Sequence, residues 1–105
     1  MKIIETTIFT KRVEEILTDE EYRLFQLKII DNPGAGKIIQ GSGGIRKIRW
    51  SGSGRGKRGG SRILYYWFNN EGMLLMLFIF RKNESDDLTK AQLKELKTIV
   101  EQEYK

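Results

Sequence analysis

Neither cysteine nor histidine occurs anywhere in the 105 residues. Without cysteine there are no disulfides and no thiolate metal sites, and nothing calls for an oxidising compartment. Without histidine the usual general acid–base is missing, and with it the Ser-His-Asp arrangement and nearly all zinc or iron sites. Any catalysis must be run by Lys, Arg, Tyr, carboxylates or backbone. No apolar run approaches the roughly 20 residues that a membrane span requires, and the opening stretch MKIIETTIFTK is too polar for a secretory signal. A cytoplasmic protein that does not engage membranes is expected. The length suits one domain, residues 1–105, with a modest core.

One sign of charge is also missing from a long stretch. Between Asp31 and Glu71 there is no acid, while Lys37, Arg46, Lys47, Arg49, Arg55, Lys57, Arg58 and Arg62 contribute eight positive charges. The other 11 basic residues are outnumbered by 14 acids, so a mildly acidic scaffold carries a basic middle and the net charge is +5. Seven of the eight cations crowd into Arg46–Arg62, around the glycine-rich GSGRGKRGG. Like charges repel, and glycines lose more backbone entropy on folding than other residues. Folding gives no reason for that choice. A phosphate-bearing polyanion does, because guanidinium forks bind phosphate oxygens bidentately.

The elements follow from periodicity and caps. Residues Lys2–Glu5 read as a strand, and Ile8, Phe9, Val13 and Ile16 mark a helix from about Thr7 to Leu17. Thr18 and Glu21 form a capping box for a second helix with Tyr22, Phe25 and Ile29 at helical spacing, stopped where Pro33 biases Asn32 out of helical backbone. GKIIQGSGG reads as a loop. IRKIRW alternates, which puts Lys47 and Arg49 on one strand face and Arg46, Ile48 and Trp50 on the other. Ser61–Phe68 and Met73–Phe80 are near-continuously apolar, so both should be central strands covered on each face, joined by a tight turn at NNEG. Thr89 and Gln92 cap a last helix whose stripe is Leu93, Leu96 and Val100. The order β-α-α-β-β-β-α is an α+β domain with a small, mostly antiparallel sheet. The helical pair is expected on one face and the C-terminal helix across a sheet end.

Several motifs have plainer readings. GRGKRG, Gly54–Gly59, matches G-x-G-x-x-G, but a strand follows it where a dinucleotide site needs a helix, and Arg58 stands where a phosphate loop needs Ser or Thr. YYWF, Tyr65–Phe68, and Trp50 read as core before they read as base-stacking platforms. Glu84, Asp86 and Asp87 suit the positive N-terminus of the last helix better than acid–base work. The basic group does not reduce to a solvated loop tip. It recurs on the Lys47/Arg49 strand face, Arg62 lies on the next strand, and Arg81 and Lys82 end the fourth.

IRKIRW, GRGKRGGSRILYYW and FRKNESDDLTKAQ, in that order, resemble the RelE/HigB superfamily of bacterial toxins from type II toxin–antitoxin modules, and its HigB-like branch especially. The resemblance covers nearly the whole chain and implies a RelE-like fold. It also implies a ribosome-dependent mRNA endonuclease that needs no metal or other cofactor and cuts by attack of a ribose 2′-OH on the adjacent phosphate. Carried over by motif, Lys47, Arg49, Arg62 and Lys82 are the catalytic positions, with Arg46, Arg55, Lys57, Arg58 and Arg81 as further RNA contacts. Neighbouring cations disfavour another positive charge, which makes Lys47 the candidate general base. Arg49, Arg58 and Arg62 would stabilise the pentavalent phosphate, and Lys82 or Lys57 would protonate the leaving oxygen. Asn83 stands where RelE-like enzymes often have arginine, and Leu88 and Thr89 where some have tyrosine.

The implied partners are the ribosome with its mRNA and a cognate antitoxin with a helix-turn-helix DNA-binding domain, DNA being engaged only through that antitoxin. Two alternatives stand beside this reading. One is a non-catalytic RNA- or ribosome-binding module on the same patch, and the other a ParE-like toxin that poisons gyrase.

Overall fold

The fold was obtained as a computed structural model, in which residues 1–51, 60–68, 70–82 and 88–104 are described. Their elements are β1 (Lys2–Glu5), α1 (Thr7–Ile16), α2 (Asp19–Asp31), β2 (Lys37–Ile38), β3 (Arg46–Trp50), β4 (Ser61–Phe68), β5 (Met73–Arg81) and α3 (Lys90–Tyr104). Five strands form one sheet in the order β1-β5-β4-β3-β2. β1 runs parallel to β5, and the other pairs are antiparallel. The architecture is the expected mixed α+β one. The two-residue β2 is an addition, because Lys37 and Ile38 pair with Lys47 and Arg46 inside what reads as a loop.

The helix ends are set locally. Thr6 Oγ1 accepts from the Phe9 N–H at 3.1 Å to start α1. At α2 the Glu21 N–H donates to Thr18 Oγ1 while the Thr18 N–H donates to Glu21, completing the capping box. Thr89 and Gln92 reproduce that exchange at α3. Each cap satisfies N–H groups that have no partner inside the helix, and each contributes about 1 kcal/mol.

Strand alternation sorts the core into two layers. Ile48, Ile63, Tyr65, Leu74, Met76 and Ile79 face α1 and α2, meeting Phe9, Val13, Phe25 and Ile29. Ile45, Leu64, Phe68, Leu75, Leu77 and Phe80 form the other layer with Leu96 and Val100 of α3. The helix expected across a sheet end therefore lies on the second face. Two-sided apolar strands require such a cover, since burying each large aliphatic side chain is worth about 1.5–3 kcal/mol. A bulge between Leu64 and Tyr65 of the β4–β5 ladder leaves Leu77 as the extra residue, with Phe78 opposite Leu64 and Met76 opposite Tyr65.

β1 stops at Glu5, opposite Met76. Past that point α1 takes over the outer edge of β5. Thr6 Oγ1 donates to the Leu77 carbonyl at 3.0 Å, Arg12 Nε to the Ile79 carbonyl at 2.7 Å, and Arg81 reaches back to the Glu15 carbonyl at 2.7 Å.

Candidate nucleic-acid interface

Register assembles the basic site. Arg49 of β3 lies directly opposite Arg62 of β4, and Lys47 is opposite Leu64, hence diagonal to Arg62 on the same face. On the outer side Lys37 of β2 pairs across from Lys47. Phe80 is opposite Arg62 on β5, and Lys82 follows two residues later on the same alternation. The Lys82 N–H donates to the Gly60 carbonyl at 3.2 Å, which ties the end of β5 to the start of β4. Four of the expected site residues, Lys47, Arg49, Arg62 and Lys82, are thus brought to one end of the α3-side face.

Two like-charged pairs sit across from each other in this sheet, Lys37 with Lys47 and Arg49 with Arg62. Directly opposed side chains in antiparallel strands have Cβ atoms about 4.5–5.5 Å apart, and like charges there destabilise the pairing. Arg49 and Lys82 are exposed, Lys47 is half-buried, and Arg62 retains only 8% of its surface. Arg62 is the one basic residue of the acid-free segment, among those described, to be buried in this way. It lies at the floor of the group, opposite Phe80, which is 2% exposed.

Gly60 anchors the margin of the site. Its φ is +59°, and a Cβ there would lie 2.5 Å from the Trp50 carbonyl oxygen, so both conformation and space demand glycine. The neighbouring Ser61 hydroxyl donates to that same carbonyl at 3.2 Å. Arg55, Lys57 and Arg58, expected as RNA contacts, fall outside the described residues, as do Glu84, Asp86 and Asp87.

Two other expected contacts are not brought together with this group. Arg46 projects to the α2 side, where Nη1 donates to the carbonyls of Gly34 (3.2 Å) and Gly36 (2.8 Å) and the guanidinium lies 5.8 Å from the Trp67 ring centre. Its alternation with Lys47 puts it there, and the 33–36 loop receives it. Tyr65 completes that clamp, donating to the Pro33 carbonyl at 2.7 Å and accepting from the Gly36 N–H at 2.9 Å. Burial pushes the Tyr65 phenol pKa up, opposed by the Gly36 bond and by Arg46. Arg81 likewise belongs to the α1 side, through its bond to Glu15. Of the aromatics, Trp50 packs edge-on against Phe25 with ring centres 5.6 Å apart, and Trp67 also lies against the helical-pair layer. Both are partly buried against that layer, on the face opposite Lys47, Arg49 and Arg62.

Lys37 joins this candidate group without having been expected there. The available signal was its place in the acid-free segment, but its face becomes defined only through the two-residue strand.

No family model matches the chain. A mutant of the E. coli toxin RelE, solved in the free state, superposes with a TM-score of 0.58 over 81% of this chain and 86% of that chain, at 12% sequence identity. The fold is RelE-like. At that identity the likeness extends to the path of the backbone, and the site must be argued from this chain's own residues.

Proposed function

We propose that this protein is a cytoplasmic RelE-like toxin of a toxin–antitoxin module, acting as a ribosome-dependent mRNA endonuclease. The observation that carries this reading is the register that sets Lys37 across from Lys47 and Arg49 across from Arg62 on one sheet face. Four cations gathered on one face make a positive patch that a polyanion complements. The RelE-like backbone supports the same reading, and the HigB-like sequence segments add the branch.

In the proposed reaction Lys47, as the free amine, removes the proton from a ribose 2′-OH. The O2′ then attacks the adjacent phosphorus as the bond from phosphorus to O5′ breaks, and Lys82 gives that oxygen a proton. The products are a 2′,3′-cyclic phosphate and a 5′-hydroxyl, so atoms and protons balance. Arg49 and Arg62 face the phosphate from adjacent strands and stabilise the charge that accumulates on its equatorial oxygens. Arg62 suits this role because a buried guanidinium is already oriented and needs little reorganisation during the reaction.

Neutralisation by an antitoxin, itself the DNA-binding component through a helix-turn-helix domain, completes the proposal. The test is a translation reaction supplied with purified protein, followed by mapping of mRNA 5′ ends. Discrete cuts inside translated frames, absent when ribosomes are withheld, are expected. Intact mRNA would overturn the reading, and inhibition of gyrase instead would assign the fold to the ParE-like alternative.

A further inference from the structure

The C-terminal helix carries a second set of cations. Lys90, Lys94 and Lys97 are spaced four and three residues apart. At 100° per residue they fall within about 60° of arc, on one flank of the stripe formed by Leu93, Leu96 and Val100. That flank has a known direction. The carbon chain of Lys97 lies against Gly43, 3.3 Å from where a Cβ would stand, and Gly43 leads into β3.

The path of the chain gives the helix its polarity. α3 is entered after Arg81 and Lys82, at the end of the sheet that holds Arg49 and Arg62, and by Lys97 it has reached the opposite end of β3. The three lysines consequently run alongside β3, antiparallel to it, on the same face as Lys37, Lys47 and Arg49. Lys90 and Lys94 are exposed. Glu95 falls on the other flank, and Glu101 lies a turn beyond Lys97.

We propose that Lys90, Lys94 and Lys97 form, with Lys37, Lys47 and Arg49, a two-walled track that binds a stretch of RNA backbone leading away from the scissile phosphate. The proposal rests on the ribonuclease reading and deepens it. One wall is the β2–β3 edge and the other is the flank of α3. Ammonium groups on long stems act as point charges without base preference, so the track contributes affinity and register along the strand while sequence is read elsewhere.

Its test measures the salt dependence of binding to a short, fluorescently labelled, 2′-O-methylated oligouridine, which lacks the nucleophile and so reports binding without cleavage. Two variants of equal net charge are compared. K90Q/K94Q removes two charges from the track, and K2Q/K11Q removes two from exposed positions on β1 and α1. Each phosphate contact on a single strand contributes about 0.7 to the slope of log affinity against log salt, so K90Q/K94Q should lower the slope by about 1.4. K2Q/K11Q should leave it unchanged. Equal slopes for the two variants would overturn the track. If wild-type protein then still cuts mRNA in the translation reaction, the ribonuclease reading survives that result. Absence of any binding by the wild type would overturn the track and leave the ribonuclease reading to the translation reaction.

Discussion

Arg46 and Arg49 stand on the same five-residue strand and are put to opposite uses. Arg46 faces the helical pair and donates to two carbonyls of the loop that follows α2. Arg49 faces the other way, opposite another arginine, with its side chain exposed and no bond to any described residue. Arg12 and Arg81 likewise hold backbone carbonyls near α1, whereas Lys47, Arg62 and Lys82 belong to the face of Arg49. A basic run in a strand is therefore two sets of residues with a period of two. On one face the cations hold loop and helix carbonyls, and on the other they are gathered into one positive patch.

The sharpest way to break this contrast is to remove one member from each face. Lys47→Ala should lower ribosome-dependent cleavage by on the order of 10²-fold or more, as expected for loss of an acid–base group, with little change in the melting curve. Arg62→Ala should match it in activity, with circular dichroism as the check that the sheet persists. Arg46→Ala should do the reverse. It leaves the Gly34 and Gly36 carbonyls without their donor, which should cost about 1–3 kcal/mol in urea denaturation while cleavage stays within a few-fold of wild type. Equal activity losses in Arg46→Ala and Lys47→Ala, at unchanged stability, would erase the distinction between the faces.

Gly60→Ala comes next in size. Positive φ and the overlap with the Trp50 carbonyl should together cost about 1–3 kcal/mol, read in the same denaturation experiment. A smaller and opposite effect is expected at Arg49. Replacing it with Gln relieves the repulsion across from Arg62 and should stabilise the fold by about 0.2–1 kcal/mol while reducing cleavage. A destabilised Arg49→Gln would mean that the pair is not under electrostatic tension. Least disturbing of all should be chelation. Both proton transfers are assigned to lysines, so cleavage should persist in excess EDTA with ribosome integrity controlled separately. A strict Mg²⁺ requirement for the chemical step would refute that assignment.

Much of the framework could be read from local signals. The Thr18–Glu21 and Thr89–Gln92 boxes act over three residues, and the two-sided apolar runs at 61–68 and 73–80 demand central strands with cover above and below. Alternation alone separated Arg46 from Lys47. What resisted reading depends on contacts distant in sequence. The use of Arg46 follows from the landing place of residues 33–36, which is fixed by Tyr65, 29 positions after Gly36. The face of Lys37 depends on a strand too short to leave a periodic trace. The side taken by α3 was open because its stripe of Leu93, Leu96 and Val100 specifies a cover without specifying which surface it covers.

The side chains that α1 sends to β5 also determine where this sheet can grow. The Leu77 and Ile79 carbonyls, which an added strand would need, already accept from Thr6 and Arg12. At the other margin β2 pairs only with Arg46 and Lys47, and no described residue pairs with the outer edge of Ile48–Trp50. Strand donation by another chain is thereby barred from the stretch of β5 beyond β1, and the open edge of β3 beside the cations is the one that a strand carrying acidic side chains would match best.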